Sequence, residues 1–317
     1  MAEYKIPLIA VVGPTASGKT SLAVEISKHY GAEVVSCDSM QIYKGMDIAT
    51  AKPTIEEMQG ITHHMIGFLA PDEPFSVAQY CETAKEIIFD INSRGKKAVL
   101  AGGTGLYYSS LVDNVEFYPE KTDFEYREYL KSQADELGSQ FLLDKLFEID
   151  PESAKTLHVN NLGRIIRALE IYHTTGKTKT MQNEQSLKNP SPFDVIPICL
   201  DSRNRQFLYD RINKRVDIMV KNGLLEEANN YFKMNIGRTA AQAIGYKELE
   251  PYFKYEKSLE ECIDNLKMQT RRYAKRQLTW FRRDLRMNFL YIDDYSDYED
   301  LLKAAYEIVE RGVKIEK

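Results

Sequence analysis

Apolar runs of strand length alternate with amphipathic stretches over most of this chain. Residues 6–12 form one such run, and 33–37, 98–101, 195–200 and 289–292 repeat it with apolar or β-branched residues. Helical spacing fills the intervals. Leu22, Ala23 and Ile26 recur at helical period after the first run. Over 76–94, Val77, Tyr80, Ala84, Ile87, Ile88 and Ile91 make a stripe that a Ser76–Gln79 capping box opens and Gly95 closes. Ser258 with Glu261 forms a second capping box and predicts a long helix over 258–286. Strands alternating with helices predict an α/β fold with a parallel, doubly wound sheet flanked by helices.

The rhythm breaks between 118 and 192. This stretch holds no convincing strand and reads as helices over 123–137, 140–149, 151–157 and 161–174, closed by Gly176 and a polar run over 177–191. The pattern predicts a core of residues 1–117 and 193–317 carrying an all-α insertion at 118–192. Such an insertion suits a lid or a partner-binding arm. A helical excursion packed on the sheet is the alternative.

Composition narrows the class. The chain has 317 residues, 43% hydrophobic and 28% charged, which is ordinary for a globular protein of about two domains. No apolar run approaches the length of a membrane span, and the first residues carry no signal-peptide apolar region. Cys37, Cys81, Cys199 and Cys262 are scattered without a C-x-x-C pair, which argues against zinc and disulfides and for a reducing cytoplasm. A monomer is the default. His63 and His64 are adjacent, diverge on a strand and suit hydrogen bonding; His29, His158 and His173 read as incidental.

The net charge of −5 argues weakly against a nucleic-acid partner, but the charge is uneven. Residues 271–286 hold seven basic residues and one acid, with Tyr273, Trp280 and Phe281 among them. Arg203, Arg205, Arg211, Lys214, Arg215 and Lys221 form a second cluster. A single basic helix is most often a solvated face. Two clusters in an acidic chain favour a polyanion, with Arg276 and Arg282 as candidate contacts.

The candidate chemistry starts at the first strand. Gly13, Pro14, Thr15, Ala16, Ser17, Gly18, Lys19 and Thr20 fit G-x-x-x-x-G-K-[ST] between a strand and a helix. Inward backbone N–H groups and a helix N-terminus there bind a diphosphate; Lys19 would reach the outer phosphate and the Thr20 hydroxyl would ligate Mg²⁺. Asp38 follows the second strand directly, where α/β sheets bind ligands, so it could serve a metal or act as general base; a turn cap is the alternative. The third strand ends in Gly102, Gly103, Thr104 and Gly105, where many P-loop nucleotidases carry a metal-binding acid. These glycines would admit a ligand or simply make a tight turn. An ATP-dependent small-molecule kinase and a non-catalytic nucleotide switch remain open on these residues alone.

Seven segments together resemble the bacterial tRNA dimethylallyltransferases: GPTASGKT at 13–20, DSMQIYKGMDIATAKP at 38–53, HHM at 63–65, GGTGLY at 102–107, RIIRALE at 164–170, AIGYKE at 243–248 and RRYAKRQLTWFR at 271–282. They run in family order over nearly the whole chain, and the second and last are the most specific. The resemblance implies transfer of a dimethylallyl group from dimethylallyl diphosphate to the exocyclic amine (N6) of the adenosine 3′-adjacent to a tRNA anticodon. It implies that the phosphate loop holds a leaving diphosphate with Arg215 as a clamp, and that Asp38 accepts the amine proton. It also implies tRNA contacts from Asp38, Ser39, Met40, Gln41 and Thr104 near a flipped base. Further contacts would come from Arg127 and from Gly163, Arg164, Ile165, Ile166 and Arg167 in the insertion. Cys37, Ala49 and Gly163 depart from the family pattern, and none of them replaces a proposed catalytic group.

Overall fold

A computed structural model describes residues 5–117 and 122–314. The N-terminal residues 1–4 and the expected insertion start at 118 lie outside the described residues. The chain divides into two compact units, Met1–Val112 with Pro192–Lys317, and Asp113–Ser191.

In the first unit the expected alternation is present: β1 (Ile6–Val12), α1 (Lys19–Tyr30), β2 (Ala32–Ser36), α2 (Ile55–Met58), β3 (His63–His64), α3 (Val77–Ser93), β4 (Lys97–Gly102) and α4 (Gly105–Val112). The sheet is six-stranded and wholly parallel, in the order β3-β2-β4-β1-β5-β6. β1 lies at its centre, pairing Val12 with Gly102 of β4 and with Cys199 of β5, so β1 and β4 finish level while β5 runs on to Asp201. Strands buried on both faces read as continuous apolar runs, which is why these segments do not alternate.

The second unit is helical among the described residues: α5 (Phe124–Leu137), α6 (Ser139–Ile149), α7 (Pro151–Lys155), α8 (Leu162–Thr175) and α9 (Lys179–Lys188). Leu130, Leu142, Leu146, Ile165, Ile166 and Leu169 form its core. α9 occupies most of the polar run that closes the unit, for which the sequence offered no helical stripe. Its local chemistry explains the difference: Thr178 caps it by accepting from Met181 N at 3.1 Å, and Asp150 accepts from Thr180 N at 3.0 Å. Asn114 Nδ2 donates to the carbonyls of Asn189 and Pro190, at 3.4 and 3.1 Å, so the unit's two ends are tied together.

The chain then continues through β5 (Phe193–Asp201), α10 (Arg205–Lys221), α11 (Leu224–Tyr231), a 3₁₀ turn at Ala240–Gln242, α12 (Glu250–Phe253), α13 (Leu259–Phe281), β6 (Asn288–Tyr291) and α14 (Tyr298–Lys314). Leu22 and Ile26 of α1 and Ala305 and Val309 of α14 pack with Ile9, Val11, Val99, Ile198 and Leu200 of the sheet. Each such Leu, Ile or Val side chain contributes roughly 1.5–3 kcal/mol by burial. A separate cluster of Ile42, Tyr43, Met46, Val216, Leu224, Tyr246 and Leu266 fixes α10 and α13 beside the strand ends, with Tyr231 stacked on Tyr246 at 3.9 Å.

Both expected capping boxes are present on α3 and α13. α13 stops at Phe281, five residues before the expected end. Past it Asp284 accepts from the backbone N–H of Arg286 at 3.0 Å and pairs with its guanidinium, a local turn that competes with helix.

Candidate functional site

The phosphate loop is held from three sides. Gly13 sits at φ 142°, and a Cβ there would lie 2.5 Å from the Leu200 carbonyl oxygen, so only glycine lets the loop leave β1 beside β5. Arg211 Nε donates to Ala16 O at 2.8 Å, and Arg215 Nη1 donates to Thr15 Oγ1 at 3.0 Å, both reaching over from α10. From α13, Gln277 Oε1 accepts from Thr15 N at 2.9 Å. Lys19 opens α1 and folds its ammonium back onto Pro14 O at 2.6 Å.

The second half of the site is the turn after β2. Cys37 N donates to Ala101 O at 2.7 Å and Thr104 N donates to Cys37 O at 3.0 Å, which pins this turn to the end of β4. Asp38 Oδ1 accepts from Met40 N at 2.8 Å and Gln41 N at 3.3 Å. It is therefore the turn cap that one reading of the sequence allowed, and its second oxygen remains for other chemistry. Thr104 Oγ1 accepts from Ser39 N at 3.0 Å. Gln41 Nε2 donates to the carbonyls of Thr50 and Ala51.

Both halves open on one cavity of about 790 Å³ that Lys19, Thr20, Asp38, Arg215, Tyr273 and Arg276 line. Met40, Val216, Met219, Ile244 and Leu266 give it an apolar side. Six cationic side chains face it (Lys19, Arg211, Lys214, Arg215, Lys247 and Arg276) against two carboxylates, Asp38 and Glu57. That excess matches a polyanionic ligand. Loss of water around Lys19 lowers its ammonium to about 8, Arg215 pushes it the same way, and Asp38 opposes both. Burial also lowers the Arg215 guanidinium. Burial and the charge of Asp38 push the Tyr273 phenol up, against a hydrogen bond to Thr104.

Several expected site residues do something else. A Cβ on Gly102 would lie 2.1 Å from Cys37 O, one on Gly103 2.2 Å from Gln277 Nε2, and one on Gly105 2.4 Å from Trp280 Cδ1. The close approach these glycines permit is to protein, not to a ligand. Ile165 and Ile166, two of the expected tRNA contacts, have their side chains buried in the core of the helical unit. Arg127 grips the buried Glu170 through two hydrogen bonds of 2.8 and 2.7 Å, and Arg167 adds a third of 2.6 Å. Gly163 and Arg164 are exposed at the start of α8. Arg282 pairs with the buried Asp201 at 2.7 Å, a hold on β5. Arg276 is exposed, 5.6 Å from the Tyr273 ring. The second basic cluster divides: Arg211, Lys214 and Arg215 face the cavity, while Arg203 pairs with Asp294. His63 contacts Ile61 O and His64 contacts Glu33, both at the sheet edge.

Arg211 and Gln277 carried no assigned role in the sequence. Their only signals were a basic cluster and the YAKRQ segment. Among the described residues no group of three or more His, Cys, Asp or Glu could hold a metal. The Thr20 hydroxyl and the Asp38 carboxylate, both on the cavity wall, are hard oxygen donors. They fit a cation that binds through one or two protein oxygens, substrate phosphates and water.

A parallel sheet with a phosphate loop at its central strand, opening on a cationic cavity, defines a P-loop-type α/β protein. The IPP transferase model matches residues 41–284 and the isopentenyl transferase model residues 6–70. The chain is 50% identical over 301 residues to a "tRNA dimethylallyltransferase" of Thermoanaerobacter sp., covering 94% of this chain and 96% of the relative. It is similar to the crystal structure of the tRNA isopentenylpyrophosphate transferase of Bacillus halodurans (TM-score 0.72, 42% identity, 98% and 99% coverage). It also matches a eukaryotic dimethylallyltransferase acting on tRNA (TM-score 0.78, 28% identity, 95% and 77% coverage). The chain belongs to the IPP transferase family. The kinase alternative finds no support among these relatives.

Proposed function

We propose that this chain transfers the dimethylallyl group of dimethylallyl diphosphate to N6 of the adenosine 3′-adjacent to the anticodon in tRNA. One observation carries the reading: the phosphate loop and Asp38 line the same cavity. The loop of Gly13, Pro14, Thr15, Ala16, Ser17, Gly18, Lys19 and Thr20 holds a leaving group, not a nucleotide to be cleaved.

Breaking the allylic C–O bond puts growing negative charge on the diphosphate. Lys19, Arg211 and Arg215 stabilise that charge from the loop side, each such contact typically contributing on the order of 10²–10³ in rate. The apolar side, with Met219 and Ile244, suits the five-carbon group and keeps water from the electron-poor carbon. Asp38 takes the proton from the exocyclic amine as the new C–N bond forms. Its Oδ1 is fixed by two backbone donors, which holds the carboxylate in place on the cavity wall. General-base help of this kind is worth about 10²–10⁴. Mg²⁺, with Thr20 as its protein ligand, would supply further positive charge to the diphosphate when bound.

The adenine must leave the anticodon stack to reach Asp38, which costs only a few kcal/mol in a single-stranded loop. Ser39, Met40, Gln41 and Thr104 form the surface that receives it, and Arg276 contacts the RNA backbone. In the helical unit, exposed Gly163 and Arg164 are the tRNA contacts, with Arg167 beside them. A reducing cytoplasm suits an enzyme acting on tRNA with four buried free cysteines. A monomer suffices, since every residue given a role at the cavity comes from one chain. The test is incubation with labelled dimethylallyl diphosphate and bulk tRNA, beside labelled ATP alone. Label entering RNA is expected; phosphate released from ATP with no label in RNA would overturn the reading.

A further inference from the structure

Gln277 is a buried polar side chain that touches both halves of the cavity wall. It lies on α13 at 5% exposure. Its Oε1 accepts from Thr15 N in the phosphate loop, and its Nε2 donates to Gly103 O, both at 2.9 Å. Those partners fix the amide's orientation, because a backbone N–H can only donate and a carbonyl can only accept. Gly103 leaves just enough room: a Cβ there would collide with Nε2 at 2.2 Å.

The residue after Gly103 is Thr104, whose N–H donates to Cys37 O and whose Oγ1 accepts from Ser39 N. A chain of four hydrogen bonds therefore runs from the phosphate loop through Gln277 and Thr104 to the turn that carries Asp38. The other side chains on the loop, Arg211 and Arg215, come from α10 and bond to Ala16 O and Thr15 Oγ1.

We propose that Gln277 is a positioning residue for prenyl transfer: it sets the separation between the leaving diphosphate and the carboxylate that receives the amine proton. The proposal rests on the transferase reading above. It makes a chemical demand that simple core packing does not, namely one acceptor and one donor on the same planar group. Leucine meets the volume without either. A carboxylate keeps the acceptor and loses the donor, and a protonated carboxyl regains both.

The experiment compares Gln277→Leu and Gln277→Glu with the wild type in steady-state prenyl transfer between pH 6 and 8, with thermal melts of each. Gln277→Leu is expected to lower kcat about 10- to 100-fold with the KM for tRNA within about twofold, because geometry and not RNA affinity is lost. Gln277→Glu is expected to match the leucine variant at pH 8 and to recover toward wild type at pH 6, as its carboxyl protonates. A ratio of Gln277→Glu to wild type that stays flat from pH 8 to 6, or kcat within twofold of wild type in both variants, overturns the proposal. Should the leucine variant fail to fold, the pH profile of the glutamate variant decides. If the wild type transfers no label, the transferase reading fails on its own. Titration with inorganic pyrophosphate then decides for Gln277: binding about tenfold weaker in Gln277→Glu at pH 8, regained at pH 6, supports it, and unchanged binding overturns it.

Discussion

Asp38 and Lys19 carry opposite charges on one wall, and their substitutions should read differently. Asp38→Ala is expected to keep tRNA affinity and to lose turnover by at least about 10²-fold, checked by single-turnover transfer beside a filter-binding isotherm. Lys19 gives a pH signature. With the free ammonium lowered to about 8, a bound diphosphate must raise it again, so binding takes up a proton above that pH. Affinity for inorganic pyrophosphate is expected to be full below pH 8 and to fall as pH rises through it, and Lys19→Ala should flatten the slope in calorimetric titrations. The loop and Asp38 were legible in the sequence because each follows a strand directly. Gln277 was not, since its tie to Thr15 spans 262 residues. The glycines at 102–105 show a related limit: sequence reveals that backbone must come close to something, and only packing reveals that Cys37, Gln277 and Trp280 are what it meets.

At the level of elements, periodicity served where one face is apolar and failed where polar groups hold the segment. β3 is two residues long, too short for any repeat, and is fixed by pairing with Val34 and Val35. α9 buries Gln182 and Ser186 rather than a hydrophobic stripe, so its sequence reads as a loop. α14 does carry a helical stripe, Leu301, Leu302, Ala305, Ile308 and Val309, and packs in one core with α1 and the sheet. In the helical unit, Glu170 joins α5 to α8 through Arg127, with Arg167 on the same carboxylate. Burial pushes this carboxyl up, but the two guanidiniums outweigh it and hold it below its ordinary value. A depressed carboxyl stabilises the fold above its unfolded value of 4.5 and loses that contribution as pH falls through the lower folded value. Glu170→Ala is expected to destabilise this unit by about 3 kcal/mol near neutral pH, because it leaves Arg127 partly buried and unpaired. The difference from wild type should shrink in melts at acid pH.

Over the whole molecule, the net charge of −5 conceals a cavity rich in cations. Composition alone therefore pointed away from a polyanion, and only the local clusters pointed toward one. Part of that local signal is structural: Arg203 and Arg282 pair with Asp294 and Asp201. Arg276→Ala is expected to weaken tRNA binding and to reduce the slope of log affinity against log salt by about 0.7 for one lost phosphate contact. Binding isotherms at three or more salt concentrations measure it, and an unchanged slope would take Arg276 off the RNA footprint.

The knot of Asn114 with Asn189 and Pro190 has a consequence for how such a chain can change. Departure and return of the polypeptide lie side by side, so α5 to α9 form one continuous insertion in the chain between α4 and β5. It can be lengthened, shortened or exchanged between lineages without rethreading a strand of the sheet, and selection for new RNA partners can act there while the chemistry beside Lys19 and Asp38 stays untouched.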